Sequence, residues 1–133
     1  MTGADIIGAL LLADADLLAF IPDDRIKEDR LPDGVTLPAL VARTISSIDR
    51  QTLKRLGVVR VTDRVSVTVR ADSVRNRKTA IRLVRKCCAG RVGNIGGGQG
   101  VAILPAGVGP SVIGAASSFE QAIDFRVSFN DAV

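Results

Sequence analysis

The sequence predicts an α+β fold: a mostly antiparallel or mixed sheet of four to five strands, with two helices packed on one face. Three stretches predict it. In residues 59–70 (VRVTDRVSVTVR), Val59, Val61, Val65, Val67 and Val69 point one way and Arg60, Arg64, Ser66, Thr68 and Arg70 the other. That period of two marks a strand with one buried face. Asp63 alone breaks the apolar side, which predicts a strand bent or only partly covered there. From Val74 the period becomes helical. Val74, Ala80, Ile81, Leu83, Val84, Cys87 and Cys88 fall in one half of the circle, and Arg75, Lys78, Arg82, Arg85 and Lys86 fall opposite. Only Arg77 lands at the apolar edge, where its stem can run over the core and carry the charge out to water. Residues 119–129 alternate again, with Phe119, Ile123, Phe125, Val127 and Phe129 on one side and Gln121 as the polar exception. So regular a strand belongs near the middle of the sheet.

Taken in order, Thr2 and Asp5 form a capping pair ahead of a helix from Gly3 to about Ala13. Asp14-Ala15-Asp16 either kinks this helix or starts a second short one. Residues 25–30 read as a charged edge strand or extended arm. Leu31-Pro32-Asp33-Gly34 is a turn, Leu37-Pro38 sets an extended lead, and residues 39–48 read as a strand. Residues 49–57 form a polar connection, long for a hairpin, and predict an exposed β-arm or loop that reaches a partner. Asp72 and Ser73 supply a turn and an N-cap for the basic helix, and Gly90 ends it in the left-handed conformation. Residues 93–100 are glycine-rich but lack phosphate-loop spacing, and a strand rather than a helix follows them, so they read as a flexible connector. Residues 106–118 read as a second mobile loop.

The chain has 133 residues, 47% of them hydrophobic and 24% charged, which predicts one soluble domain spanning residues 1–133. Its charge is unevenly placed. Residues 1–50 carry five basic and nine acidic side chains, residues 51–92 twelve basic and two acidic, and residues 93–133 one basic and three acidic. Such a chain can bind a polyanion through its middle, or pair that middle with the acidic part of an identical neighbour. The apolar run at the N-terminus is broken by Asp14 and Asp16, so the sequence shows neither signal peptide nor membrane span and predicts folding in the cytoplasm. Cys87 and Cys88 read as small buried apolar residues in a reducing compartment.

The sequence contains no histidine, which excludes Ser-His-Asp and Cys-His nucleophilic sites and removes the commonest zinc ligand. Asp23-Asp24 and Glu28-Asp29 read as solvated surface rather than a catalytic or metal-binding pair. No catalytic, cofactor or metal site is expected.

The order of elements resembles the tail-completion or tail-terminator family of long-tailed phages and of phage-derived gene transfer agents. The resemblance is carried by LLADADLLAFIPDDRI (residues 11–26), LPDGVTLPALVARTIS (31–46), VSVTVRADSVRNRKTAIRLVRKC (65–87) and FEQAIDFRVSF (119–129), and it spans nearly the whole chain. It implies a structural, non-enzymatic virion protein with a tail-terminator-like fold, found in the tail or neck and assembled in the host cytoplasm. In that family the subunits form a ring, usually six-fold, at the head-proximal end of the tail tube. The implied partners are copies of the chain itself, the tail tube protein and the head connector or stopper protein, with DNA passing through the channel. The basic helix surface of Arg75, Lys78, Arg82, Arg85 and Lys86 is expected to face a neighbouring subunit or the DNA channel. Arg50, Lys54, Arg55, Asn94 and Gln99 are expected on partner-contact loops. Another neck protein, a head-completion or adaptor subunit, and a basic nucleic-acid-binding module are the alternative readings.

Overall fold

The N-terminus of the first helix is plugged into the sheet beneath it. The structure, a computed structural model, describes residues 2–32, 34–50, 57–114 and 117–132, the side chain of Ala132 excepted. Helix α1 (Gly3–Ala13) is followed by α2 (Ala15–Phe20), a 3₁₀ turn (Asp23–Arg25) and strands β1 (Ile26–Glu28), β2 (Ala39–Arg50) and β3 (Val58–Ala71). Then come α3 (Val74–Cys88), β4 (Val92–Ile95), β5 (Gly98–Val108), β6 (Val112–Ile113) and β7 (Phe119–Ala132). The strands form one mixed sheet in the order β1-β2-β3-β7-β5-β4, with β6 paired to β7 off that path. Among the described residues only β1 and β2 pair in parallel. The fold is α+β as the sequence predicts, but the sheet is larger than four to five strands and a third helix is present.

The capping pair is as expected. Thr2 Oγ1 accepts from the Asp5 N–H at 3.2 Å, and the Thr2 N–H donates to Asp5 Oδ2 at 2.9 Å. Asp14 starts a separate helix by accepting from the Leu17 N–H at 3.1 Å, which decides between kink and second helix. The two remaining free donors of α1 are satisfied by the sheet. The Gly3 N–H donates to Asp63 Oδ2 at 2.7 Å, and the Ala4 N–H donates to Thr44 Oγ1 at 3.3 Å. Asp63 is therefore not poorly covered, although the β2–β3 register shifts beside it, between Thr44 and Ser46. It is paired with Ser47 and Val127 on its two sides and is 3% exposed. Its carboxylate sits where the partial positive charge of a helix start offsets the cost of burying it. A Cβ on Gly3 would meet Asp63 Cβ at 2.8 Å and Val65 Cγ2 at 2.7 Å, so only glycine allows this approach.

The helices share one face of the sheet. Helix α1 lies against β1, β2 and β3, and α3 against β3 and β7. The core between them holds Ile6, Ile7, Leu11 and Leu17 from the first two helices, Val65, Val67 and Val69 from β3, and Phe125 and Phe129 from β7. Strand β7 lies between β3 and β5 and pairs with β3 along its whole length, the central position its alternation predicts.

Two expected loops are strands instead. Residues 93–100 are no flexible connector: β4 turns at Gly96 and Gly97 and returns as β5. Small size rather than looseness explains these glycines. A Cβ on Gly96 would lie 2.8 Å from Ala9 Cβ, and one on Gly98 would lie 2.9 Å from Ile6 Cδ1, so the hairpin closes against α1. In residues 106–118, β5 continues to Val108 and β6 pairs with Glu120 and Phe119. Between them the Gly109 N–H donates to the Ala122 carbonyl at 2.8 Å, and the Gly109 carbonyl accepts from Gln121 Nε2 at 2.9 Å, which gives the polar exception of β7 its role.

Both cysteines are free and buried. The Cys87 thiol donates to the Leu10 carbonyl at the end of α1 over 3.3 Å. Contact with Cys87 and burial push the Cys88 thiol far above its ordinary value, so it stays neutral.

At the start of α1, Asp5 also meets Glu28 of β1. Hydrogen bonds from Thr2 and then Glu28 hold the Asp5 carboxyl below its usual value, whereas partial burial, Asp5 and Asp29 push Glu28 up. The raised Glu28 contributes stability that is full below its ordinary value of 4.5 and is lost as pH rises through the folded-state value. Glu28→Gln is expected to raise the thermal midpoint at pH 7, an advantage that disappears as pH is lowered to about 4. Thermal melts of both proteins across that window check it. Asp63→Ala leaves the buried Gly3 donor unmatched and is expected to lower unfolding stability by about 2 kcal/mol, with Asp63→Asn losing less because it keeps an acceptor. Urea denaturation of both variants reads the difference.

Candidate functional site

Helix α3 owes its place to its apolar face. Ser73 Oγ accepts from the Asn76 N–H at 3.1 Å and starts the helix, while Asn76 Nδ2 reaches back to Asp72 over 2.8 Å. Ala80, Ile81, Val84, Cys87 and Cys88 are buried and Leu83 is half-buried. Val74 departs from the expected apolar set, since it is 42% exposed. Gly90 has φ +78°, as expected, but its N–H donates to Ile103 of β5 rather than back into the helix. Arg91, which the periodicity does not reach, closes the helix end by donating from Nε to the Cys87 carbonyl at 2.8 Å.

The expected basic surface is present. Arg75, Lys78, Arg82, Arg85 and Lys86 are all exposed. The first four follow one another at three, four and three residues and make a straight ridge about 15 Å long. Like charges at these spacings repel by a few tenths of a kcal/mol per pair, and α3 carries no acidic residue to relieve them. Lys86 differs from the rest, since its Nζ lies 3.7 Å from Asp16 Oδ2 of α2. Both side chains are almost three-quarters exposed, so the contact is weak. Arg77 is half-buried at the edge of the core, with its Nε shielded from water and without a partner.

The expected partner-contact residues divide. Lys54 and Arg55 lie outside the described residues. Arg50, Asn94 and Gln99 stand on strands rather than loops. Arg50 pairs with Arg60, Arg60 with Asn130, and Asn130 with Gln99, which makes one row across four strands at one end of the sheet. Arg60 ties this row together by donating to the Gly100 carbonyl at 2.6 Å and to Asn130 Oδ1 at 3.1 Å. Asn94 is exposed, and its Oδ1 accepts from the Gly100 N–H across the hairpin at 3.2 Å. The row at the sheet end and the ridge on α3 are separate surfaces. The distal part of β2 beside the row, from Ile45 to Arg50, is exposed throughout, with Ile45 and Ile48 open to solvent, while residues 51–56 of the arm expected over 49–57 lie outside the described residues.

The four acidic residues Asp23, Asp24, Glu28 and Asp29 are exposed on the β1 side of the molecule. On the opposite flank, Arg85 borders an apolar groove with Ala89 of α3, Pro105, Gly107 and Val108 of β5, and Ile123 of β7. The ridge and the acidic segment therefore occupy different sides of one subunit. No helix in the described residues is long and apolar enough to cross a membrane.

Comparison with known proteins follows the same outline. The fold is similar to a chain from a solved structure described as the virion of a native gene transfer agent particle, with a TM-score of 0.72. The two chains share 14% identity over 97% of this chain and 95% of that one. No curated protein matches the sequence. Residues 6–101, from within α1 to the first residues of β5, match the family model described as tail completion protein gp17. The chain belongs to that phage tail-completion family.

Proposed function

We propose that the chain is a structural subunit of the virion tail that works as a tail terminator, with residues 1–133 forming a single domain. Copies close into a ring, six-fold by the resemblance, at the head-proximal end of the tail tube. The ring stops tube growth, offers its other side to the head connector and leaves a channel for DNA. The reading is supported chiefly by family membership together with a fold likeness that runs through almost the whole length of a virion chain.

A closed ring needs a heterologous interface, in which two different surfaces of one subunit meet their opposites on the neighbours. The α3 ridge and the acidic segment on the β1 side meet that requirement in sign and in placement. Charge across such an interface steers encounter and fixes register more than it adds affinity. In this arrangement Arg75, Lys78, Arg82 and Arg85 face a neighbour's Asp23, Asp24, Glu28 and Asp29, and the repulsion along α3 is relieved on assembly. Subunits of this kind need no catalytic group.

Negative-stain electron microscopy and light scattering of the purified protein test the proposal. Rings are expected near physiological salt and are expected to dissociate toward about 1 M salt, where screening acts over about 3 Å. Arg82→Glu with Arg85→Glu is expected to leave monomers of unchanged thermal stability. A protein that stays single-copy at high concentration and ignores tail tube and connector would refute the reading.

A further inference from the structure

The face of the sheet turned away from the helices carries a second basic surface. The even-numbered residues of β3 point to it, and the pairing register brings their neighbours alongside: Arg43, Arg50, Arg60, Arg64, Arg70 and Arg126 all stand there. Two cross-strand pairs are like-charged, Arg64 opposite Arg126 and Arg50 opposite Arg60. Directly opposed like charges destabilise a sheet. Two carboxylates on the face are already engaged, Asp124 at 2.8 Å from Arg64 Nη2 and Glu120 at 3.0 Å from Arg70 Nε, and a third residue, Asp29, lies beside Arg43 and Arg70 at the β1 margin. Among the described residues Arg43 and Arg126 have no side-chain partner, and no helix packs over this face.

From this we infer that the bare sheet face is a docking surface for double-stranded DNA, held through its phosphates and without regard to sequence. Three observations favour a nucleic acid backbone over an acidic protein segment. The arginines are spread along the strands: Arg60 to Arg70 on β3 spans about 33 Å, close to one turn of duplex at about 34 Å. The acidic segment of a neighbour, residues 23–29, is too compact to cover that length. The face also has two shallow clefts of the kind that seat single phosphates. One is lined by Ser46, Ile48, Thr62, Arg64 and Arg126, the other by Asp29, Arg30, Leu31, Val41, Arg43, Thr68 and Arg70. Arginine with serine and threonine hydroxyls is the donor set that positions phosphates, and the face has no aromatic side chain on which a base could stack. The inference goes beyond the ring reading, since a single subunit presents the same face.

Fluorescence anisotropy with a labelled mixed-sequence duplex of about two helical turns tests it. The wild-type chain is expected to bind at low salt and to loosen as salt rises. Arg43→Ser with Arg126→Ser, which breaks no internal contact, is expected to weaken binding about tenfold and to lower the salt slope by about two. Arg75→Ser with Lys78→Ser, on the opposite side of the molecule, is expected to leave binding unchanged. Urea midpoints equal to wild type for both variants confirm that the fold is intact. Absence of binding at low salt, or loss with the helix pair instead of the sheet pair, overturns the inference. So does tighter binding of a synthetic peptide of residues 21–31 that the sheet pair abolishes. Ring formation by the same variants, followed by light scattering, reads the ring proposal separately.

Discussion

The start of α1 depends on two acceptors that arrive late in the chain, Thr44 and Asp63. A helix leaves its first N–H groups unpaired, and in a buried helix start each must find an acceptor. Here the local capping pair satisfies two, and the sheet satisfies two more. This fixes the height and direction of α1 over β2 and β3. It also explains why an aspartate can stand in an otherwise apolar strand face and why the first helical residue is glycine. The placement of α1 in turn sets where the β4–β5 hairpin can close, because Gly96 and Gly98 meet Ala9 and Ile6. Helix α3 is tied to the same frame by the Cys87 thiol on the Leu10 carbonyl.

Much of this was legible from local pattern. The alternation of β3 and β7, the helical period of α3, the caps at Thr2 and Ser73 and the exposure of the basic ridge depend on near neighbours, and residue spacing reports them faithfully. What failed depended on distant ones. Asp63 looked like a flaw because its partner is sixty residues away. The glycine-rich hairpin looked like a loose connector because glycine signals mobility and close approach alike, and only the position of α1 separates the two. The strands in residues 106–118 were missed because they pair with β7 through backbone, which leaves no side-chain period.

The candidate sites show the same limit. Periodicity found the ridge on α3, and it also placed Arg60, Arg64 and Arg70 on the outward side of β3. It could not show that Arg126 and Arg50 stand opposite two of them, because that is a property of register. The basic middle of the chain thus resolves into two surfaces on opposite sides of the sheet, one a helix ridge and one a strand face. A single net charge for the segment conceals that division.

The position of β7 has a consequence for how the subunit is made. It is the last of the seven strands to leave the ribosome, yet it lies between β3 and β5. Until it is synthesised, both of those strands keep an open hydrogen-bonding edge, and Phe125 and Phe129 are missing from the interior. The sheet therefore cannot be completed until residues 119–132 have been made. A product truncated before Phe119 would be a sticky intermediate rather than a shorter building block.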